Sequence, residues 1–305
     1  MTRYSIESWA PDHGSAVAGD DLADRSDAVV SADYELPVAD WRPLDPVSDG
    51  GVDTLLFVDG VQRTDALVWI TEDGTTRAGQ FASYGAGVVR CDGRARIEAC
   101  QVRRSLFATG SPRAVPTHLG DYLPVTVIGD EPDAIRAAIG EQRAKLEIEV
   151  VSDLTDADLI VIDGPLRGRQ HVRHAIGYVK SHHVSYLPDE VAGTVGALAP
   201  GQRTPVFGVR TSWSRLSWYL RLPGRPGHPW AGVARCDIAT DTPAEDVRRI
   251  ADATAAILPR FASDPHKDPR APQNLYPIAG LERELRRRLG DPHLLERALR
   301  AALAG

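Results

Sequence analysis

Two short apolar segments, each ending in Asp-Gly, limit the folds open to this chain. Residues 53–60 read Asp-Thr-Leu-Leu-Phe-Val-Asp-Gly, and residues 158–164 read Asp-Leu-Ile-Val-Ile-Asp-Gly. Four consecutive apolar residues are typical of a strand buried on both faces, and glycine lets the chain turn sharply afterwards. A carboxylate at the end of a buried strand needs a cap, an ion pair or a metal ion. We therefore expect Asp59 and Asp163 to meet at one sheet edge, where they would suit divalent ions.

Composition is that of a soluble globular protein. The 305 residues are enough for one extended domain or a domain with a subdomain, and 43% of them are hydrophobic and 25% charged. No apolar run approaches the roughly 18 residues that a membrane span needs. The N-terminus has no apolar signal core, and Cys91, Cys100 and Cys236 lack metal-binding spacing. These features predict a cytoplasmic protein with reduced thiols and no membrane association.

Charge is distributed unevenly along the chain. Residues 1–53 carry twelve Asp or Glu against three Arg, whereas residues 165–235 carry ten Arg or Lys against two acidic residues. A local basic field near an Asp-ended strand is what an enzyme acting on a polyanion needs. A solvated basic face is the alternative interpretation.

The order of predicted elements is strand, antiparallel meander, helix, parallel strand. Alternating segments at 66–71, 78–90 and 94–106 predict the meander, with hairpin turns at Glu72-Asp-Gly-Thr and at Asp92-Gly93. The segment from Pro132 to Val151 predicts a helix that returns the chain, so that the second Asp-Gly strand lies parallel to the first. Glu147 lies near the end of this helix, where a solvated glutamate is the alternative to a functional one.

With this order of elements, the chain resembles the NurA-domain nucleases from about residue 50 to the end. The matching segments follow one another in order: Phe57-Val-Asp-Gly60, Ile162-Asp-Gly-Pro-Leu-Arg-Gly168, Gly177-Tyr-Val-Lys-Ser181, Arg203-Thr-Pro-Val-Phe207, Ser217-Trp-Tyr-Leu-Arg-Leu222, Trp230-Ala-Gly-Val-Ala-Arg235, Asp268-Pro-Arg-Ala-Pro-Gln-Asn-Leu-Tyr-Pro-Ile278 and Leu281-Glu282. Each motif alone is weak, and the likeness rests on their order and spacing.

The resemblance implies an α/β fold of the ribonuclease H-like type. This fold is a mixed sheet, an antiparallel meander plus parallel strands, flanked by helices and followed by a helical C-terminal region. It divides the chain into an acidic N-terminal arm, residues 1–52, and a nuclease domain, residues 53–305. It also implies DNA cleavage with two Mn²⁺ or Mg²⁺ ions, a homodimer, and a role in end resection and DNA repair beside a HerA-like hexameric ATPase.

The resemblance also implies which residues hold the ions. Hydrolysis by two metals needs carboxylates that hold ions about 3.5–4 Å apart, and hard oxygen ligands suit Mg²⁺ or Mn²⁺. Asp59 would bridge both ions, with Asp163 opposite and Glu147 completing the set. Lys180 is a candidate for contact with the scissile phosphate, with a plain surface lysine as the alternative.

The C-terminal ligand is where this chain departs from the family. Related proteins often supply a histidine on the helix after a Tyr-Pro pair. Tyr276-Pro277 is present here, but residues 281–290 contain no histidine. Glu284 and Glu282 are the candidates at this position, Glu284 being the better one. The departure indicates altered metal preference or weak activity.

Several residues are candidates for binding nucleic acid. Backbone contacts, which set affinity and salt dependence, are expected from the following residues: Arg167, Arg169, Arg203, Arg221 and Arg270. Aromatic residues that are candidates for stacking on bases, although strand aromatics are commonly core residues, are Trp213, Trp218, Tyr219 and Trp230. The sequence thus predicts a metal-dependent nuclease acting on single-stranded DNA or DNA ends. The alternatives are a non-catalytic DNA-binding or ATPase-docking subunit with a degraded site, and an RNA-directed nuclease of the same fold.

Overall fold

The chain forms two compact units in a computed structural model that describes residues 28–129, 132–182, 184–224 and 227–304. The first unit comprises residues 28–57, 91–95 and 156–279, and the second comprises residues 58–90, 96–155 and 280–304. Strand β2 begins in the first unit and continues in the second.

The strands in the described residues form a mixed sheet. They are β1 (Val29–Ser31), β2 (Leu55–Glu72), β3 (Thr75–Cys91), β4 (Ala95–Ala108), β5 (Leu123–Thr126), β6 (Leu159–Asp163), β7 (Ala175–Val179), β8 (Phe207–Arg210), β9 (Ser214–Arg221) and β10 (Val233–Ile238). Strand order in the first unit is β1-β8-β9-β10-β7-β6-β2, and strand order in the second is β2-β3-β4-β5. Strands β6 and β7 pair in parallel, as do β4 and β5, whereas β8, β9 and β10 pair antiparallel. The predicted α/β class with a mixed sheet is confirmed.

The predicted meander is present as β2, β3 and β4, with one difference. Turns at Asp73-Gly74 (φ 50° and 74°) and at Gly93 (φ 93°) join these strands, as expected. Leu55–Val58 and residues 66–71, predicted as separate strands, form one strand of 18 residues. The strand continues because the polar residue between them is satisfied inside the structure: buried Asp65 accepts hydrogen bonds from Ser83 Oγ (2.5 Å) and Tyr122 Oη (2.9 Å).

The two Asp-Gly strands start side by side in the first unit. The amide nitrogens of Asp158 and Leu159 donate to the carbonyl oxygen of Thr54 at 3.0 and 3.4 Å, and Asp158 Oδ2 accepts from the amide of Thr54 at 2.8 Å. Strands β2 and β6 are neighbours in the sheet and both begin at this junction. They therefore run parallel, as the sequence predicted.

Helices flank the strands. They are α1 (Pro132–Ser152), α2 (Asp189–Ala197), α3 (Ala244–Ile257), α4 (Tyr276–Arg288) and α5 (Pro292–Leu303), with short 3₁₀ turns at Val38–Asp40 and Leu258–Phe261. The stripe predicted for α1 is buried, since Ile135, Ile139, Leu146 and Val150 are all at most 5% exposed. Among the described residues, no helix combines the length and apolar character that a membrane crossing requires.

The described part of the predicted acidic arm belongs to the first unit. Residues 1–27 lie outside the described residues, but β1 pairs with β8, with Val30 opposite Val209. Glu35 accepts hydrogen bonds from both terminal nitrogens of Arg203 at 2.8 Å. From residue 28 onward this segment is therefore built into the sheet by backbone pairing and a buried ion pair.

Candidate functional site

Asp59 lies near the start of β2, after the apolar run Leu55–Val58. All four apolar side chains are at most 5% exposed, which confirms a strand segment buried on both faces, and Asp59 itself is 7% exposed. Its Oδ1 accepts a hydrogen bond from the amide of Gly60 at 2.7 Å. The chain therefore carries a buried carboxylate at the predicted position.

Glu147 on α1 packs against the residue that follows Asp59. The Glu147 side chain is only 2% exposed, and a Cβ atom placed on Gly60 would overlap Oε1 of Glu147 and lie 2.9 Å from Cγ of Arg143. Glycine is thus required at position 60 for the glutamate to occupy this place. The solvated-helix interpretation of Glu147 is wrong, because the carboxylate is buried.

Arg143, one helical turn before Glu147, is a cation beside this carboxylate. Arg143 Nε lies 3.6 Å from Glu147 Oε1, and Arg143 Nη1 donates to the carbonyl oxygen of Gly60 at 3.0 Å. Sequence reasoning missed this residue, although the i,i+4 spacing of Arg and Glu on a helix could have revealed it. The pair ties α1 to β2 at Gly60.

Asp163 ends β6 with one carboxylate oxygen bonded and the other unbonded. Oδ2 accepts a hydrogen bond from Lys180 Nζ at 2.8 Å, whereas Oδ1 is buried and has no hydrogen-bond partner in the part of the chain that the structure describes. A buried carboxylate oxygen without a partner is costly. Asp163 therefore has an open acceptor position that a cation or a donor would satisfy.

Lys180 is held by a chain of polar side chains that includes the C-terminal Pro-rich loop. Its Nζ donates also to Asn274 Oδ1 at 3.1 Å, and Asn274 Nδ2 donates to Asp268 Oδ2 at 2.8 Å. Asp268 Oδ1 accepts from the amide of Arg270 at 2.8 Å. Asn274 and Asp268 are buried, so the orientation of the Asn274 amide is fixed by its neighbours. Lys180 is partly buried in this network, and the plain surface interpretation is wrong.

The turn after Asp163 explains the glycines of the motif. Gly164 has φ 89°, and its amide donates to the carbonyl oxygen of Tyr178 at 2.8 Å. A Cβ atom on Gly177 would overlap the amide of Leu166 and lie 2.9 Å from the Gly164 carbonyl oxygen. The turn therefore packs directly on the β7 backbone, which fixes where β6 ends and where Asp163 lies.

The predicted C-terminal ligands are engaged in ion pairs on α4. Glu284 accepts hydrogen bonds from Arg287 and Arg288, both at distances below 2.9 Å, and these arginines lower the pKa of Glu284 to about 2. Glu282 accepts from Arg286 Nη2 at 2.8 Å. Two arginines on Glu284 compete with a metal ion for its oxygens, so the geometry gives this residue a helix-stabilising role.

Most of the arginines predicted to contact nucleic acid have internal partners. Arg203 is 2% exposed and bonded to Glu35 and Asp252, the latter through Nε at 2.8 Å. Arg221 donates to the carbonyl oxygens of Val195, Pro229 and Ala231. The remaining three differ in exposure, with Arg167 exposed, Arg270 half-buried and Arg169 buried. The geometry favours structural roles for Arg203, Arg221 and Arg169, because their guanidinium groups are enclosed, and leaves Arg167 accessible to solvent.

The aromatic candidates are also largely internal, and so is His182, the first of two adjacent histidines. Trp218 and Tyr219 are fully buried. Buried His182 contacts Val233 O through Nε2 at 3.1 Å, and its ring packs against Trp230 with centroids 5.0 Å apart. These residues belong to the core, while His183 lies outside the described residues.

The donor chemistry fits Mg²⁺ or Mn²⁺. In the described part of the chain, no three His, Cys, Asp or Glu side chains are grouped as a complete metal cage. Mg²⁺ characteristically takes one or two protein carboxylates and completes its shell with water and substrate phosphate. In the first unit, the unbonded Oδ1 of Asp163 offers one carboxylate oxygen of this kind.

Comparison with known proteins gives distant structural likenesses. No protein-family model matches the chain, and no curated protein matches it. The NurA nuclease from Sulfolobus solfataricus is similar with a TM-score of 0.46 and 11% identity, over 83% of this chain and 86% of that one. Endonuclease V from Bacillus subtilis gives 0.30 and 12%, over 82% and 86%. Endonuclease V from Ciona intestinalis, in complex with inosine-containing DNA, gives 0.35 and 11%, over 78% and 86%. At these scores the likenesses carry no argument about activity.

Proposed function

We propose that this protein is a metal-dependent nuclease that hydrolyses phosphodiester bonds of DNA with two divalent ions. The observation that carries the proposal is the buried Oδ1 of Asp163, which has no hydrogen-bond partner among the described residues, on a carboxylate whose other oxygen is held by Lys180. A buried carboxylate oxygen without a donor is costly unless a cation binds it.

Strand geometry supports adding Asp59 to Asp163 in the proposed site. Strands β2 and β6 start side by side, and Asp59 and Asp163 are each the fifth residue of their strand. Parallel strands rise by nearly equal amounts per residue. The proposal is that Asp59 and Asp163 meet at the carboxyl ends of these segments and hold the ions with Glu147.

Each of these residues would then have a separate role in the reaction. Two Mn²⁺ or Mg²⁺ ions would supply an activated water and stabilise the charge on the leaving oxygen. Asp59, Glu147 and Asp163 would hold them, and Lys180 would orient a non-bridging phosphate oxygen. Asn274 keeps the Lys180 ammonium directed toward Asp163, so the lysine is positioned before substrate arrives.

A matched pair of substitutions on α1 tests the proposal. Glu147→Gln removes the charge of a buried glutamate, whereas Glu149→Gln removes that of a glutamate 47% exposed and paired with Arg103. We expect Glu147→Gln to lower Mn²⁺-dependent cleavage of single-stranded DNA by at least about 100-fold, since a metal ligand contributes several kcal/mol to transition-state stabilisation. Glu149→Gln should cleave like the unsubstituted protein.

The comparison requires that both variants fold. Gln fills nearly the same volume as Glu, so folding should be preserved, and thermal unfolding of each variant without metal checks this. Undiminished cleavage by a folded Glu147→Gln protein would rule out this metal site.

The substrate and partners form part of the same proposal. We propose that the substrate is single-stranded DNA or DNA ends and that the protein acts in end resection during double-strand break repair in the cytoplasm. A homodimer associated with a HerA-like hexameric ATPase is the proposed assembly. These assignments rest on the sequence resemblance to NurA-domain nucleases.

A non-catalytic DNA-binding or ATPase-docking subunit is the second candidate. The observation that favours it is the engagement of Glu284 by Arg287 and Arg288, because a fourth ligand is then missing. Such a subunit would bind DNA but cut none of it at any Mn²⁺ concentration, and the cleavage assay distinguishes the two.

A further inference from the structure

A second cluster of charged residues lies in the first unit, on the sheet face opposite Asp163. Arg215 on β9 and Arg235 and Asp237 on β10 are at most 7% exposed. Asp163 pairs with Tyr178, and Tyr178 pairs with Cys236, which lies between Arg235 and Asp237. Paired residues share a face and successive residues alternate, so this cluster and Asp163 lie on opposite faces.

Both arginines form ion pairs with the same carboxylate, that of Asp237. Arg235 binds Asp237 through Nε at 2.8 Å and Nη2 at 3.1 Å, and Ser217 Oγ donates to Asp237 Oδ1 at 2.8 Å. Arg215 Nε lies farther away, at 3.5 Å from Oδ1. In the part of the chain that the structure describes, Asp237 is the one carboxylate in ion-pair contact with either arginine.

Arg215 has a buried Nε that makes no hydrogen bond to the described residues. Its ion-pair contact there is the 3.5 Å approach of Nε to Asp237 Oδ1. Arginine carries several N–H donors in a fixed plane. A nearly buried cation with an unused donor is costly unless an anion binds it.

Two aromatic rings pack against the Arg215 guanidinium in cation–π contacts. Arg215 Cζ lies 4.7 Å from the centroid of the Trp213 ring and 5.0 Å from that of Tyr186. Stacking on the faces leaves the N–H edges for hydrogen bonding, which is the geometry that binds phosphate through two parallel bonds. Trp213 belongs to the turn between β8 and β9, where Thr211 and Ser212 are exposed.

We propose that Arg215 binds a backbone phosphate of a nucleic-acid strand and that Trp213 stacks on the adjoining base. The phosphate supplies the second anion that the two arginines lack, and a base beside it finds an aromatic surface. Access is through the exposed turn that carries Trp213. The nature of the strand rests on the proposed nuclease function, but the site lies on the sheet face opposite Asp163.

Binding in the presence of EDTA tests this site apart from cleavage. The probe is a fluorescein-labelled oligothymidylate of about twelve nucleotides, within the range that single-strand-binding sites span, and affinity is measured by anisotropy over a range of KCl concentrations. We expect Arg215→Met to weaken binding about tenfold and to reduce the salt slope by about 0.7, the value for one phosphate contact on a single strand. Arg210→Met, an exposed arginine on the neighbouring strand, should change affinity less than about threefold.

Thermal unfolding separates a ligand site from a structural one. Without ligand, Arg215→Met should unfold at the same or a higher temperature, since it removes an unsatisfied buried cation. A lower unfolding temperature with unchanged oligonucleotide binding would show a purely structural arginine and overturn the proposal. If Arg215→Met does not fold, Arg215→Lys keeps the charge without the planar donors, and undiminished binding by that variant would overturn it equally.

Two further measurements identify the ligand and test whether the Arg215 site is independent of the proposed metal site. Inorganic phosphate that stabilises the unsubstituted protein but not Arg215→Met, with equal oligonucleotide binding by both, would mean a free-phosphate site and contradict the nucleic-acid assignment. Because the oligonucleotide is bound in EDTA, the Arg215 result does not depend on ions held by carboxylates. Active Glu147→Gln protein would refute the nuclease proposal while leaving the Arg215 result standing.

Discussion

At the scale of single residues, Gly60 shows how the lack of a Cβ atom lets a distant glutamate approach a strand. The glutamate of α1 occupies the space that any Cβ at position 60 would need. The glycine was expected to serve a turn, but β2 continues through it as regular strand to Glu72. Its structural reason is the close approach of Glu147, a contact that involves residues far apart in the sequence.

We predict that Gly60→Ala displaces Glu147 and lowers metal-dependent cleavage about tenfold or more, since misplacement of a catalytic group by about 1 Å costs up to 100-fold. Gly140→Ala on α1 is the matched control, because its new Cβ would lie 4.0 Å from the nearest atom, Gln62 Oε1. It should leave cleavage unchanged and stabilise the protein by about 0.5–1 kcal/mol, the gain from replacing a helical glycine. Single-turnover cleavage and urea unfolding measure these effects. Equal cleavage by Gly60→Ala and Gly140→Ala would contradict the role given to Gly60.

At the scale of secondary-structure elements, buried ion pairs attach the segments that have little regular structure. Arg203 joins the segment around Glu35 to α3 through Asp252. Burial opposes the charged form of Glu35, but the hydrogen bonds and charge of Arg203 outweigh it and hold the pKa of Glu35 below its ordinary value of 4.5. The folded state therefore releases the Glu35 proton more readily than the unfolded state does.

The lowered pKa of Glu35 determines how the free energy of unfolding changes with pH. A group with a lowered pKa stabilises the folded state at pH values above its ordinary pKa, and this stabilisation is lost as the pH falls through the folded-state pKa. We predict that Glu35→Gln destabilises the protein by about 2 kcal/mol at pH 7, the typical loss for a hydrogen bond to a charged group. The difference in the free energy of unfolding between Glu35→Gln and the unsubstituted protein should shrink as the pH falls from 5 to 3, because Glu35 then becomes protonated in the unsubstituted protein. Urea unfolding at several pH values measures this, and a difference that stays constant over this range would contradict the assignment.

Elements and side-chain partners differ in how far the sequence predicts them. The alternation in β3 and β4, the apolar stripe of α1 and the Asp92-Gly93 turn are local patterns, so their elements were predicted with nearly the observed bounds. The partners of Arg203 and Arg221 were not predicted, because contacts between residues far apart in the sequence leave no periodic signal. Arg143 and Glu284 are intermediate cases, since each belongs to a helical ion pair whose i,i+3 or i,i+4 spacing is present in the sequence.

At the scale of the whole molecule, the basic composition of residues 165–235 gives less surface charge than expected. Much of it is used internally, as in the buried cluster of Arg215 and Arg235 and the enclosed Arg169, Arg203 and Arg221. With a net charge of -7, we expect weak non-specific attraction to DNA. The proposed function therefore requires that divalent ions between the carboxylates and the phosphate, with a few placed cations such as Lys180, supply most of the binding.

Counting bound Mn²⁺ tests the central claim most directly, because it needs neither substrate nor partner. Electron paramagnetic resonance reports free Mn²⁺ during titration of the unsubstituted protein, of Asp163→Asn and of Glu147→Gln. The account predicts about two bound ions per chain in the unsubstituted protein and a loss of at least one in each variant, with Glu149→Gln unchanged. Equal Mn²⁺ binding by all four proteins, or none by the unsubstituted protein, would contradict it.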